Sequence, residues 1–309
     1  MKVSLVDVDG HHFPNLALMK LSAWHKAQGD DVDWYAPLFS HPDKIYASKV
    51  FTFSRDFMDY APNDPEPMRG GTGYDIMSKL PNEVENMLPD YSIYPDFSEA
   101  YGFLTRGCVR NCPWCVVPRK EGKLRIAGDI ERVSAGRKHV VLMDNNFLAA
   151  PADFIEEQCE KMKRLSLRVD FNQGLDARLI TTANAKLLAS IRYIRHIRFS
   201  CDRSDVIPHI RRAITLLREF GLHQEVFCYM LVTDDLEDAE SRARELVRMG
   251  VTPFAQPFRN LTTNQEPSLR QKDFARFVNV KGGKLVLKMN FADYHRTPKK
   301  KKGIEKNAD

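Results

Sequence analysis

Three cysteines lie within eight positions of the segment RGCVRNCPWCVVPRKEGK, residues 106–123: Cys108, Cys112 and Cys115. The spacing C-x3-C-x2-C is not followed by a second cysteine pair, whereas a closed structural zinc site uses four protein ligands, usually as two pairs. Three thiolates suit a cubane iron–sulfur cluster in which the protein holds three irons and leaves the fourth open to a substrate or cofactor. The spacing therefore favours an iron–sulfur site with an open position over structural zinc.

The other three cysteines, Cys159, Cys201 and Cys228, are single and far apart in the sequence. Because Cys159 falls in a helical pattern and Cys228 in an apolar strand, we expect buried free thiols there. The N-terminal stretch MKVSLVDVDG lacks the features of a signal peptide, and no apolar run is long enough to cross a membrane. We therefore expect a cytoplasmic protein with reduced thiols, in which clustered cysteines serve as metal ligands.

The cysteine loop resembles the cluster-binding loop of radical S-adenosylmethionine (SAM) enzymes, a family in which an aromatic residue, here Trp114, typically precedes the third cysteine. The resemblance implies that Cys108, Cys112 and Cys115 hold a 4Fe-4S cluster whose open iron chelates the amino and carboxylate groups of SAM. It also implies that an external electron donor drives reductive cleavage of SAM, and that the 5′-deoxyadenosyl radical formed abstracts hydrogen from a substrate. The protein would supply orientation and exclude water. The sequence names neither the substrate nor a catalytic residue.

Polar residues that follow successive strands are the candidates for SAM binding. Many members of the family carry a Gly-Gly-Glu stretch that contacts the SAM amino group after the second strand, where this chain reads MDNNF. Oxygens of carboxylates and carboxamides can accept hydrogen bonds from an ammonium. Arg178 is the preferred anion ligand because Arg binds carboxylates bidentately. Strand-end caps or salt bridges are an equal alternative for each candidate; the full set is Asp144, Asn145, Asn146, Gln173, Asp176, Arg178, Ser200, Asp202 and Arg203.

From residue 101 onward, apolar strand patterns alternate with amphipathic helical patterns. Six such units predict a partial (βα)6 barrel of the radical SAM type, although an open doubly wound sheet has the same periodicity. In either architecture the chemistry lies beyond the carboxyl ends of the strands, where the cysteine loop follows the first of them. The predicted strands are Tyr101–Thr105, His139–Met143, Leu167–Phe171, His196–Ser200, Glu225–Val232 and Thr252–Gln256, and the helices are Asp153–Leu165, Thr182–Ile191, Val206–Phe220 and Leu236–Met249.

Residues 1–95 predict a small Rossmann-like β/α domain, with strands at 2–9, 33–37 and 45–53, a helix at 15–28 and a loop at 61–73. The stretch Asp9-Gly10-His11 resembles the first half of the cobalamin-binding signature Asp-x-His-x-x-Gly, but Pro14 stands where the glycine belongs. Ser54 and the Gly70-Gly71 pair echo the other two signature elements, although the gap between them is too short for the missing strand and helix. We interpret the domain as a reduced relative, expect no cobalamin, and favour a scaffold or substrate-gating role.

Charge is unevenly distributed along the 309 residues, with 8 basic and 16 acidic residues in 1–100 but 32 basic and 23 acidic residues in 101–294. An anionic substrate is consistent with the basic segment. The basic tail, residues 295–309, is predicted to be disordered, and phosphate binding is its alternative role. Six basic residues surround the cysteine loop and either attract nucleotides or offset the cluster's charge: Arg106, Arg110, Arg119, Lys120, Lys123 and Arg125.

The sequence thus predicts a Rossmann-like domain over 1–95, a barrel with a C-terminal extension over 96–294, and the tail. The competing hypothesis is a non-catalytic iron–sulfur or zinc protein whose basic surface binds nucleic acid.

Overall fold

The computed structural model describes residues 1–10, 12–261, 263 and 265–294. The predictions for His11 and for the tail 295–309 lie outside these residues. The described chain is a mixed α/β structure with parallel sheets, as the sequence predicts. Among the described residues, no helix has the length and apolar character that a membrane span requires.

The first sheet is parallel, with the strand order β2-β1-β3-β4. Helix α1 begins after Asn15, whose side chain accepts a hydrogen bond from the Leu18 amide at 3.3 Å. Its elements are β1 (Lys2–Asp7), α1 (Leu16–Ala27), β2 (Asp31–Trp34), β3 (Lys44–Ser48) and β4 (Met68–Gly70).

Strand β4 corrects the prediction that residues 61–73 are all loop. Its three residues pair with β3, Tyr46 lying opposite Met68. A three-residue edge strand next to a Pro- and Gly-rich stretch is too short to show alternation, so the pattern could not reveal it.

The segment between residues 75 and 99 packs on this first sheet. Val84, Ile93 and Tyr94 are buried with Leu5 and Leu18 in one apolar cluster, which we call the first cluster. The second cluster is formed by residues from 100 onward. Helix α2 (Asn82–Glu85) supplies the first of these residues. The segment therefore belongs to the apolar core of the first sheet.

The remaining strands form two parallel sheets and one small antiparallel ladder. The parallel sheets have the orders β10-β9-β8-β5 and β11-β12-β13. The strands are β5 (Ala100–Gly102), β6 (Thr105–Arg106), β7 (Arg125–Ile126), β8 (His139–Leu142), β9 (Arg168–Phe171), β10 (Arg192–Tyr193), β11 (Ile197–Ser200), β12 (Val226–Val232) and β13 (Val251–Pro257). The helices are α3 (Val117–Lys120), α4 (Ile130–Ser134), α5 (Ala152–Arg164), α6 (Thr182–Ser190), α7 (Ile207–Glu219), α8 (Leu236–Arg248) and α9 (Leu269–Asn279).

The two parallel sheets adjoin just beyond β9. Leu175 forms a parallel bridge to Phe199 of β11, and its amide donates to the Arg198 carbonyl at 2.8 Å. Arg198 also binds Asp170 of β9 through Nε and Nη2, both at 2.6 Å, and donates from Nη1 to the Tyr229 hydroxyl of β12 at 2.8 Å. These contacts connect the two sheets into a succession of parallel strands, β5, β8, β9, β11, β12 and β13.

The structure departs from the sequence predictions at two elements of this region. The strand predicted over Tyr101–Thr105 is divided, because the chain leaves the sheet after Gly102 and Thr105–Arg106 pairs antiparallel with β7 instead. Helix α9, which the sequence analysis did not predict, begins with a capping box in which Ser268 and Gln271 each bind the other's backbone amide.

Candidate functional site

The three clustered cysteines lie in a loop, residues 107–124, that is closed at its base. The β6–β7 ladder pairs Thr105 with Ile126 and Arg106 with Arg125. Gly107 has φ +77°, and a Cβ atom there would lie 2.3 Å from the Lys123 carbonyl oxygen. Only glycine permits this approach of the two ends of the loop. The structure thus places the ends of the cysteine loop at residues 107 and 124, and the name refers to this range from here on.

All three cysteines of the loop are free thiols. Cys108 and Cys112 are partly buried and Cys115 is exposed. Burial raises the pKa of the Cys112 thiol, the charge of Arg178 opposes that effect, and the neighbouring Cys108 adds to the increase. Burial likewise raises the pKa of Cys115, with Cys112 and Cys108 contributing. The three thiols are therefore close enough to influence one another.

The number of thiols bears on which metal group they could hold. Among the described residues, no group of three or more His, Cys, Asp or Glu, the three thiols included, is arranged to hold a metal ion. Thiolates on one zinc ion, with Zn–S distances of about 2.3 Å, must approach a common centre. In a cubane each thiolate binds a different iron, so the ligands are spread more widely. Three free thiols without a fourth ligand fit a cubane better than a closed zinc site.

Asp144 follows β8 and holds the start of the loop in place. Its carboxylate accepts hydrogen bonds from the Leu104 amide at 3.1 Å, the Thr105 amide at 2.5 Å and the Thr105 hydroxyl at 2.6 Å. Burial raises its pKa to about 6, although these hydrogen bonds act in the opposite direction. These hydrogen bonds give Asp144 a positioning role at the start of the loop, and its contact with SAM stays a prediction.

The two asparagines after Asp144 both reach the cysteine loop. Asn145 Nδ2 donates to Glu121 Oε2 at 2.7 Å. Asn146 Nδ2 lies 3.5 Å from Cys108 Sγ, while its Oδ1 is buried and has no hydrogen-bond partner among the described residues. Asn146 therefore brings an unused acceptor next to the first cysteine.

The end of β9 contacts the cysteine loop through an ion pair. Asp176 Oδ2 accepts from Arg110 Nε at 2.9 Å, and Oδ1 accepts from Arg178 Nε at 2.7 Å. Arg110 lies between the first two cysteines, so this carboxylate ties the loop to the strand end. Asp176 is buried, whereas the Arg178 side chain is about one-third exposed and lies near Cys112.

The end of β11 contacts the loop through its aromatic residue. Asp202 Oδ1 accepts from the Leu231 amide at 2.9 Å, and the Trp114 side chain also hydrogen-bonds to this carboxylate. Burial raises the pKa of Asp202. The fully buried Arg242 supports this strand end by donating to the Cys201 carbonyl at 2.7 Å. The cysteine loop is thus attached to the ends of β8, β9 and β11.

Other predicted site residues are not tied to the loop. Gln173 is exposed and Ser200 is half-buried at the end of β11, and neither hydrogen-bonds to the cysteine loop within the described part of the chain. Arg203 is exposed and pairs with Asp205 at 3.1 Å. Cys159, Cys201 and Cys228 are buried free thiols.

Glu121 is a site residue that the sequence analysis missed. Its Oε2 accepts from the Gly107 amide at 3.0 Å as well as from Asn145, and its Oε1 accepts from Arg106 Nη1 at 2.9 Å. It is the single acidic residue between Arg106 and Gly128, in an otherwise basic stretch. A lone carboxylate in a basic stretch is the sequence feature that could have indicated a role for Glu121.

Several basic residues around the loop already have protein partners. Arg106 binds Glu85 and Glu121, each at 2.9 Å, and Arg110 binds Asp176. Lys120 donates to the Thr72 hydroxyl at 2.7 Å. These side chains brace the loop, so their charges are not all available to a polyanion.

Two of the residues compared with the cobalamin signature, Asp9 and Ser54, hydrogen-bond to each other. The Asp9 carboxylate accepts from the Val50 amide at 2.5 Å, the Phe51 amide at 3.2 Å and the Ser54 hydroxyl at 2.5 Å. Gly71 has φ +96°, and a Cβ atom there would lie 2.4 Å from the Lys49 carbonyl oxygen. These contacts join the carboxyl ends of β1, β3 and β4.

No protein-family model and no curated protein matches the sequence. Among solved structures, the crystal structure of Streptococcus suis SuiB bound to precursor peptide SuiA aligns with a TM-score of 0.46 at 12% identity. The alignment covers 67% of this chain and 55% of that chain, so this chain spans about half of that structure's length. We base no functional assignment on a likeness of this extent.

Proposed function

We propose that the chain is a radical SAM enzyme acting on a substrate still to be identified. The observation that carries the proposal is the cysteine loop itself: three free thiols beyond the carboxyl ends of parallel strands, with no fourth cysteine nearby. Its attachment to three successive strand ends supports the same function, because a cofactor site must be held in a fixed position over the sheet. In this proposal residues 96–294 form the partial (βα)6 barrel and residues 1–95 a reduced Rossmann-like domain.

Cys108, Cys112 and Cys115 would hold the 4Fe-4S cluster. Asn146 would accept a hydrogen bond from the SAM amino group, since its Oδ1 is buried beside Cys108 without a partner in the described chain. Arg178 lies near Cys112, is partly exposed and binds Asp176 through Nε and Nη2; it would bind the SAM carboxylate through the donors that these two bonds leave open. When bound, the cluster and SAM would supply a 5′-deoxyadenosyl radical that abstracts hydrogen from the substrate. Electrons would come from an external donor, and we propose no cobalamin.

The competing hypothesis is a non-catalytic iron–sulfur or zinc protein that binds nucleic acid. The pairing of Arg106 and Arg110 with carboxylates weakens it, because the protein itself already offsets these two charges. We also propose that the substrate is a small anionic molecule and that the protein is located in the cytoplasm.

Anaerobic reconstitution tests the proposed function. We expect a brown protein with about four irons and four sulfides per chain, which forms 5′-deoxyadenosine from SAM under a strong reductant. Cys108→Ala, Cys112→Ala and Cys115→Ala should each abolish that product, whereas Cys159→Ala, at a buried helical cysteine, should retain it. A colourless protein that holds one zinc ion per chain would overturn the proposal.

A further inference from the structure

Glu121 accepts three hydrogen bonds from two separate parts of the chain, residues 106–107 and residue 145. Gly107 begins the cysteine loop, Arg106 ends β6, and Asn145 follows β8; all three donate to this carboxylate at 2.7 to 3.0 Å. The Glu121 side chain is only 12% exposed. A carboxylate that is this buried needs its donors, and each charge-assisted hydrogen bond is stronger than a neutral one.

Arg106 links Glu121 to residues of α2 and α1, the helices that pack with the first sheet. Arg106 binds Glu85 through Nη2 at 2.9 Å while it holds Glu121 through Nη1. Glu85 also accepts from Lys20 of α1, at 2.9 Å on its carboxylate and 2.6 Å on its carbonyl oxygen. An unbroken series of charged contacts therefore runs from α1 to the residue that precedes Cys108.

We propose that Glu121 is a positioning residue that fixes Cys108 in place by holding the start of the cysteine loop to β8 and to Arg106. No other carboxylate in the described chain binds both the backbone next to a loop cysteine and a residue after β8. Glutamine at this position has one acceptor oxygen instead of two and presents its amide nitrogen to a donor. The start of the loop should then open more often.

The reactivity of Cys108 in the metal-free protein tests this role directly. In a Cys112→Ser/Cys115→Ser background, Cys108 is the remaining accessible thiol, because the other three cysteines are buried. We expect Glu121→Gln to raise the rate of Cys108 modification by a disulfide reagent about tenfold, which corresponds to ~1.4 kcal/mol. Glu237→Gln, at an exposed position in α8, should leave the rate unchanged. A Glu121→Gln rate within about twofold of the background would overturn the proposal, twofold being ~0.4 kcal/mol.

Two variants cover the case in which Glu121→Gln does not fold. Asn145→Ala and Arg106→Gln each remove one of the three donors, so each should raise the Cys108 rate by a smaller factor in the same direction. Unchanged rates in both would count against Glu121 as strongly as an unchanged rate in Glu121→Gln.

A spectroscopic measurement separates positioning from general stability. This part rests on the proposed function: after reconstitution with all cysteines present, Glu121→Gln should retain iron but shift the EPR signal and midpoint potential of the reduced cluster, and Glu237→Gln should shift neither. An identical signal in Glu121→Gln would contradict the positioning role. If the wild-type protein takes up no cluster, the proposed function fails, while the Cys108 rates still decide the role of Glu121.

Discussion

At the scale of single residues, Asp144 makes the stability of the protein depend on pH. Its pKa of about 6 lies above the ordinary 3.8, so the folded state binds the proton more tightly than the unfolded state. Its contribution to stability is therefore complete below about pH 4 and is lost as the pH rises through about 6. We expect the free energy of unfolding of the wild type, relative to Asp144→Asn, to fall by about 2 kcal/mol between pH 4 and 7.

Urea unfolding of both proteins across this pH range measures that difference. The effects of the carboxylates that both proteins share cancel when one free energy of unfolding is subtracted from the other. Asp144→Asn should also be less stable than the wild type at pH 4, since an amide cannot accept all three hydrogen bonds from Leu104 and Thr105. A difference that stays constant from pH 4 to 7 would mean that Asp144 does not titrate in this window.

The residues of the site differ in how far the sequence alone predicts their roles. The three cysteines are readable because their ligand function depends on local spacing alone. The roles of Asp144 and Glu121 depend on contacts made 39 and 24 residues away along the chain, to Thr105 and Asn145. A single sequence does not contain that distance information. This is why the sequence indicates neither the contacts of Asp144 with Leu104 and Thr105 nor any role for Glu121.

At the scale of elements, two glycines of the cysteine loop form a matched pair. Gly107 and Gly122 both have φ +77°, yet a Cβ atom on Gly107 would lie 2.3 Å from the Lys123 carbonyl oxygen and one on Gly122 would meet nothing within 4 Å. Both Ala variants bear the cost of the left-handed backbone, about 1–2 kcal/mol. Gly107→Ala must also push the two ends of the loop apart.

We therefore expect Gly107→Ala to lower the thermal midpoint more than Gly122→Ala does and, under the proposed function, to bind less iron on reconstitution. Calorimetry and iron analysis of the two variants, side by side with the wild type, give both quantities. Equal losses in the two variants would show that backbone conformation, and not the close approach at the loop base, sets the cost.

Strands β8, β9, β11, β12 and β13 lie within two residues of their predicted bounds, since apolar patterns mark buried strands clearly, whereas the two-residue strand β10 was not predicted. Two further differences between the prediction and the structure are the early end of β5 and the unpredicted helix α9. Strand β5 ends early because Asp144 takes the amides of Leu104 and Thr105. Helix α9 was missed although its capping residues, Ser268 and Gln271, were readable as a start signal.

At the scale of the whole molecule, two apolar clusters meet through Tyr91, which packs against both, and through polar contacts next to the cysteine loop. Glu85 of α2 joins them, accepting from Lys20 on one side and Arg106 on the other. Partly exposed ion pairs of this kind contribute roughly 1 kcal/mol or less each. The Lys20–Glu85–Arg106 contacts are therefore a small part of the coupling between the two clusters, and a substitution at Glu85 measures that part.

Glu85→Ala should allow the first cluster to unfold before the second. Trp24 and Trp34 pack against the first cluster, so in a Trp114→Phe background tryptophan fluorescence reports on that cluster, whereas far-UV circular dichroism reports on all helices. We expect Glu85→Ala to lower the urea midpoint seen by fluorescence below that seen by circular dichroism. Glu83→Ala, at an exposed position of the same helix, should leave the two midpoints as they are in the background. If the midpoints of Glu85→Ala coincide, the two clusters unfold as one cooperative unit, and the Lys20–Glu85–Arg106 contacts do not couple them.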